Sequence, residues 1–184
     1  LNLGNVYTRT KDFTKAKAFY RRALEIDRKY KVRYGVATDL ANIAWLFDGM
    51  HQYDSGLIYH LQALKIRETL PNKDDLARSL LGVANGYRHT GEAKRASIYY
   101  HDALNLAQQI HSKPMIRDAY GGLAELYSKQ KNFEKAFTYQ ALYKQMHDSV
   151  LNDVSARQVN ELSAKYENEK KNRRIVNSYW KGCW

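Results

Sequence analysis

Residues 80–104, LLGVANGYRHTGEAKRASIYYHDAL, contain Tyr87, Ala96 and Tyr99, and the same kinds of residue return forty positions to either side. Stepping by forty places Tyr7, Phe47, Tyr87 and Tyr127 in one column and Leu3, Ile43, Val83 and Leu123 in another. Gly4, Ala44, Ala84 and Ala124 follow, then Ala16, Gly56, Ala96 and Ala136, and Phe19, Tyr59, Tyr99 and Tyr139. Four copies align without a gap. A period of this length marks stacked supersecondary units, each too small to bury its own apolar face.

Within a copy the apolar residues fall at i, i+3, i+4 and i+7, the helical period. The spacing predicts two helices per unit, roughly 35–49 and 53–70 in the second copy. A turn near Asp12, Gln52, Glu92 and Asn132 divides them, and the connectors Pro71-Asn72-Lys73-Asp74 and Ser112-Lys113-Pro114 carry breakers. The Gly4 and Ala16 columns are small, so paired helices approach closely, and the Tyr7 column fills the space beside them. Most of the fifteen tyrosines therefore read as packing residues. His60 shares a column with Tyr20 and Tyr100 and reads as a packed core histidine.

Composition agrees with an all-helical reading. Only two prolines and ten glycines interrupt 184 residues rich in Ala, Leu, Lys, Glu, Arg and Gln. The single cysteine, Cys183, excludes an intramolecular disulfide and leaves the redox compartment open. No apolar run approaches the roughly 18 residues needed to cross a bilayer. The chain starts at Leu1, partway through a repeat, as a fragment of a longer protein would. Its net charge of +11 gathers in residues 9–33 and 165–181, and the first stretch lies largely on an outer helix where solvated Lys and Arg are expected. Without a groove-reading or RNA-binding signature, nucleic acid is not an expected partner. There is no phosphate loop, His-Glu-x-x-His pair, nucleophile elbow or Cys-x-x-Cys, so neither an enzyme nor a bound cofactor or metal is expected.

Leu3-Gly4-Asn5-Val6-Tyr7, followed by Ala16, Tyr20 and Ala23-Leu24, resembles the tetratricopeptide repeat. The period of forty exceeds that family's usual 34 or so, which requires longer helices or longer connectors. The resemblance covers residues 1 to about 146, in units of approximately 1–32, 33–72, 73–112 and 113–146. It implies a right-handed all-helical solenoid with an extended helix at its C-terminus. The fourth unit departs from the pattern, because Gln140 and Tyr143 stand where an aromatic and an alanine belong.

The stretch after the repeats resembles the junction in Bacteroidetes-type sensor proteins. There a helix leads to a membrane span and histidine kinase, or to a helix-turn-helix output domain. Tyr143-Lys144, Asp148-Ser149, Asn152, Gln158, Glu161-Leu162, Lys165-Tyr166-Glu167 and Glu169-Lys170-Lys171 carry the likeness. It implies the sensory region of a bacterial signalling protein, periplasmic if the parent is a membrane-anchored sensor kinase and otherwise cytoplasmic. Membrane contact would come only through a downstream segment. In this reading residues 147–176 form a capping or signalling helix started by Asp148, Ser149 or Asn152, and 177–184 are a disordered or truncated tail. Its stripe of Leu151, Val154, Val159, Leu162 and Tyr166 is placed to cover the open end of the last unit. The helix can also pair with its twin in a homodimer, although its heptads are too few to define a coiled coil.

The tetratricopeptide resemblance further implies a concave groove lined by the first helix of each unit. Asn5, Arg9, Asn42, Trp45, Arg78, Asn85, Arg88 and His89 project there. Asn amides suit an extended peptide backbone, Arg suits a carboxylate and Trp45 offers a flat anchor. A protein or peptide ligand is the expected partner. Chaperone-binding members clamp a C-terminal carboxylate at five positions, and Asn5, Asn42 and Arg78 fall on three of them. Leu1 and Gly82 occupy the two where basic residues belong, so an adaptor for acidic C-terminal peptides stands as the alternative. A scaffold without ligand is the third.

Overall fold

A computed structural model describes residues 3–181, which are helical with short turns and no strand. The helices are α1 (Leu3–Arg9), α2 (Phe13–Lys29), α3 (Arg33–Gly49), α4 (Tyr53–Arg67), α5 (Lys73–His89), α6 (Ala93–Gln109), α7 (Lys113–Lys129) and α8 (Phe133–Lys181). Each packs on the next, and α3, α5 and α7 also touch in series, so the chain is a solenoid of helical hairpins.

The period of forty has a simple origin in the third unit: α5 and α6 are 17 residues each, and each is followed by a three-residue turn. The residues beyond the usual repeat length thus lie in the helices. Turn geometry repeats as well. The middle residue is left-handed at Lys11, Lys31, His51, Gly91, His111 and Lys131 (φ 55 to 85°). The residue after it returns its N–H to a carbonyl five back, as Asp12 does to Tyr7 and Asn132 to Tyr127, at 2.9 and 3.0 Å. This is the Schellman closure of a helix end. Pro71 occupies the same column and cannot take that conformation, and α4 stops at Arg67 rather than reaching residue 70.

One aromatic stack recurs in every unit. Tyr7 lies on Phe19, Phe47 on Tyr59, Tyr87 on Tyr99 and Tyr127 on Tyr139, with centroids 5.3 to 5.6 Å apart. The small columns are buried between the helices, with Ala16, Ala96, Ala44 and Ala84 inaccessible to solvent. Gly122 sits directly under the ring of Tyr100.

The joints between units do not repeat. In one pair of columns stand Asp27 and Asp39, then Arg67 and Ser79, then Ala107 and Ala119. The last joint is apolar and buried. In the middle joint the buried Arg67 donates to Ser79 Oγ at 2.8 Å and to the Asp75 carbonyl at 3.1 Å. The first joint sets two carboxylates near each other. Asp39 is only 5% exposed and its Oδ2 has no hydrogen-bond partner. Burial, and to a lesser extent the charge of Asp27, push its carboxyl up to about 6.

The C-terminal region differs from the sequence expectation in three respects. First, no helix starts at Asp148, Ser149 or Asn152, because α8 runs unbroken from Phe133 through all three. Nothing in that span stops it, since neither Pro nor Gly occurs there. Second, residues 177–181 continue α8 rather than forming a tail, and 182–184 lie outside the described residues. Third, Leu151, Val154, Val159, Leu162 and Tyr166 are exposed along α8 and do not cover the last unit. A straight helix carries them away from it. α8 is held beside α7 by Lys113 Nζ on Asp153 Oδ2 at 2.7 Å.

Candidate peptide-binding groove

Asn5, Arg9, Asn42, Trp45, Arg78, Asn85, Arg88 and His89 all lie on α1, α3 and α5, the first helices of three successive units. Their side chains fall into two groups.

The first group is engaged within the protein. Tyr20 donates its hydroxyl to Asn5 Oδ1 at 2.6 Å, and Tyr100 donates to Asn85 Oδ1 at 2.6 Å. Both tyrosines are buried, so each asparagine satisfies a hydroxyl that would otherwise be stranded. Arg88 Nε donates to the Tyr100 oxygen at 3.0 Å, while its Nη1 reaches Glu125 Oε2 on α7 at 2.6 Å. The relay Asn85–Tyr100–Arg88–Glu125 therefore ties the third unit to the fourth. Burial holds the Tyr100 hydroxyl above its ordinary range, which keeps it a donor. His89 stacks flat on Tyr53, centroids 3.9 Å apart, and Arg88 Nη2 donates to its Nε2 at 3.0 Å. Burial, then the charges of Arg88 and Lys129, depress its pKa, so the imidazole is neutral at physiological pH. It cannot serve as a cation for an acidic ligand.

In the second unit the same columns hold different chemistry. Trp45 stands where Asn5 and Asn85 stand, and His60 replaces the tyrosine. His60 donates Nε2–H to Asp48 Oδ2 at 2.8 Å and meets the edge of the Trp45 ring at 4.9 Å. His60 is buried, yet Trp45 remains 41% exposed, a large apolar surface on the groove side.

The second group is unengaged. Asn42, Arg78 and Arg9 make no hydrogen bond or ion pair among the described residues, and Arg78 and Arg9 are exposed. Asn42 lies one turn before Trp45 on α3, and Arg78 lies on the neighbouring α5. Ala41 and Leu81, beside these positions on α3 and α5, are core residues and not groove surface. The clamp comparison is also weaker than the spacing implied. Gly82 is buried against the ring of His60, leaving no room for a basic side chain there, and Leu1 lies outside the described residues.

Sequence reasoning treated Asn5 and Asn85 as free amides. The signal that they are not was present: Asn and Tyr recur fifteen residues apart in units one and three, and both are absent together in unit two. Tyr53 and Phe137 were missed as surface features for a different reason. Tyr53 shares a column with Phe13, Ala93 and Phe133, read as packing positions, and Phe137 stands in a column otherwise held by Lys17, Leu57 and Ser97.

Among the described residues no group of His, Cys, Asp and Glu is arranged to hold a metal ion, and no helix is long and apolar enough to cross a membrane.

Comparison with known proteins gives the following. No curated protein matches the chain in sequence. BtubC (BKLC) from P. vanneervenii superposes with a TM-score of 0.72 at 22% identity, covering 80% of this chain and 61% of that one. A Rap protein complexed with Competence and Sporulation Factor gives 0.73 at 18% identity, over 82% of this chain and 42% of that one. A Signal Transduction ATPase with Numerous Domains, with a tetratricopeptide repeat sensor, from Pyrococcus horikoshii gives 0.72 at 23%, over 84% and 24%. The chain thus spans less than two thirds of the length of these structures. The family model described as Tetratricopeptide repeat matches residues 1–69 and 75–142. On that match, with the fold in agreement, this chain belongs to the tetratricopeptide repeat family.

Proposed function

We propose that this chain is a peptide- or protein-binding region of a bacterial signal-transduction protein, with the ligand seated in the concave groove at Asn42, Trp45 and Arg78. The observation that carries the reading is the contrast within the groove. Most polar groove residues are spent on internal bonds, whereas Trp45 and Arg78 are exposed, Asn42 is half-buried, and neither Asn42 nor Arg78 makes a hydrogen bond or ion pair among the described residues. An Asn amide can bond both N–H and C=O of an extended strand, Trp45 can bury an apolar side chain and Arg78 can take an acidic group.

Residues 1–146 form the binding array in this reading, and the remainder of α8 carries the signal outward. No flexible linker intervenes, because α8 is both the second helix of unit four and the outgoing rod. At about 1.5 Å per residue its 49 residues extend roughly 73 Å. A small tilt of α8 on α7 becomes a large displacement at its far end. Likeness of the stretch 143–175 to the junction of Bacteroidetes-type sensors makes a sensor histidine kinase the parent we favour. The structural neighbours include a Rap protein complexed with a factor and a protein with a repeat sensor, which fits a sensory role. Unpaired Arg78 also suits an adaptor for acidic C-terminal peptides, the second reading.

A random-peptide display selection on the wild-type chain tests this. Sequences enriched on the wild type should be lost on the Asn42→Ala/Trp45→Ala/Arg78→Ala variant. Equal enrichment on both would remove the groove from consideration. A free C-terminal carboxylate shared by all selected peptides would favour the adaptor.

A further inference from the structure

The C-terminal end of the solenoid is open. α7 and α8 leave a cavity of about 520 Å³, lined by Ala124, Ser128, Lys129, Phe133, Phe137 and Gln140 among others, and Phe137 is 78% exposed. In earlier units the equivalent notch is filled by the first helix of the next unit. Gly82 of α5 lies against His60 of α4, Gly86 against Leu57, and Gly122 of α7 against Tyr100 of α6. One period further on, the notch residues are Gln140 and Phe137, and the residues due to fill it are Leu162 and Tyr166. Val159 stands likewise in the column of the buried Asp39, Ser79 and Ala119.

Residues 153–169 thus carry the inward face of a next-unit first helix, and Val159, Leu162 and Tyr166 are all exposed. The adjoining face, about 100° further round the helix, is different. Asn160, Ser163 and Glu167 replace the Leu40, Ile43 and Phe47 that would receive a further second helix. One apolar face and one polar face make a cap, which a solenoid end requires.

The chain does not deliver this cap to itself. α8 passes straight through 150–152, where earlier units turn. Leu151 occupies the column in which Lys31 and His111 are left-handed, a conformation disfavoured for a bulky side chain. A second copy can deliver it without breaking the helix. In the repeats residue 60 meets 82 and residue 100 meets 122, each pair symmetric about the residue midway between, 71 and 111. Residues 140 and 162 are symmetric about 151. Two antiparallel α8 helices crossing at a two-fold axis on Leu151 therefore lay 153–169 of each over 133–149 of the other, in the register that the repeats already use. Leu151 itself is exposed and would meet its own counterpart at the axis.

We propose that the chain forms a two-fold dimer in which residues 153–169 of each copy cap the open solenoid end of the other. The interface is isologous and closes on itself, so it makes a dimer and no filament. It is independent of what the concave groove binds.

Sedimentation of the full chain should give twice the 21.4 kDa monomer mass. Leu162→Lys should raise the dimer dissociation constant by at least about 30-fold without loss of helical circular dichroism, because Leu162 is 70% exposed in the single chain. In a Cys183→Ser background, Gln140→Cys combined with Leu162→Cys should oxidise to a covalent dimer. A monomer at about 100 μM would overturn the proposal. So would a disulfide closing within one chain, or equally efficient linkage of Leu162→Cys alone to its own counterpart, which signals a parallel pair.

Discussion

Replacing Asp39 by Asn should stabilise the protein at neutral pH, although it removes a charge from a strongly charged chain. Asp39 is buried at the joint of units one and two with an unpartnered Oδ2, near the carboxylate of Asp27. Its carboxyl is pushed from 3.8 up to about 6, so the folded state holds its proton more tightly than the unfolded chain does. Stability from this group is therefore full below about pH 4 and is lost as pH rises through 6. Above that the carboxyl is ionised in both states and folding must desolvate the carboxylate, which costs roughly 3 kcal/mol at about 1.4 kcal/mol per pH unit. An Asn amide stays neutral but is itself incompletely bonded, which returns part of the gain. A net stabilisation of about 1–2 kcal/mol at pH 7.5 remains, or about 4 °C in Tm for a chain of this size. Thermal unfolding followed by circular dichroism from pH 4.5 to 8 reads it. The gap between variant and wild type should open as pH rises and close toward pH 4.5. A variant less stable than wild type at pH 7.5, or a gap unchanged across that range, would refute the reasoning.

Other substitutions probe the same architecture. Gly122→Ala places a methyl group into the ring of Tyr100 and should destabilise by about 2 kcal/mol or more in urea titration, since that ring is locked by Asn85 and Arg88. Arg67→Ala leaves Ser79 and Asp75 without their buried donor and should cost about 3 kcal/mol, read by the same titration. Lys131→Gly relieves a left-handed residue whose own side chain makes no hydrogen bond or ion pair among the described residues, and should add roughly 0.5–1 kcal/mol.

The period of forty, the helix pairs and the packing role of the tyrosines were all legible in the sequence, because each rests on a column repeated several times. Tyr100 illustrates why. Its ring is dictated by the gap over Gly122, at the same offset that sets His60 over Gly82. Reading failed where the column breaks. Asn5 and Asn85 looked like free groove amides because a hydrogen bond fifteen residues long leaves no mark in helical periodicity. Asn152, like Asp148 and Ser149, has a side chain of the capping type, and Asn72 in the same column does cap α5, accepting from Asp75 N–H at 3.1 Å. A cap starts a helix only where the preceding one ends, and Leu151 does not favour the left-handed turn that ends it. Propagation of α8 won.

The central claim is that Asn42, Trp45 and Arg78 form the recognition surface, and direct titration tests it best. A fluorescein-labelled peptide from the display selection would be titrated with the wild type, with the triple alanine variant, and with Asn5→Ala/Arg9→Ala as a control on α1. The account predicts at least about 30-fold weaker binding for the triple variant, the scale of losing a buried aromatic anchor, and a smaller change for the control. Equal affinity of wild type and triple variant, with both chains equally helical, would contradict it.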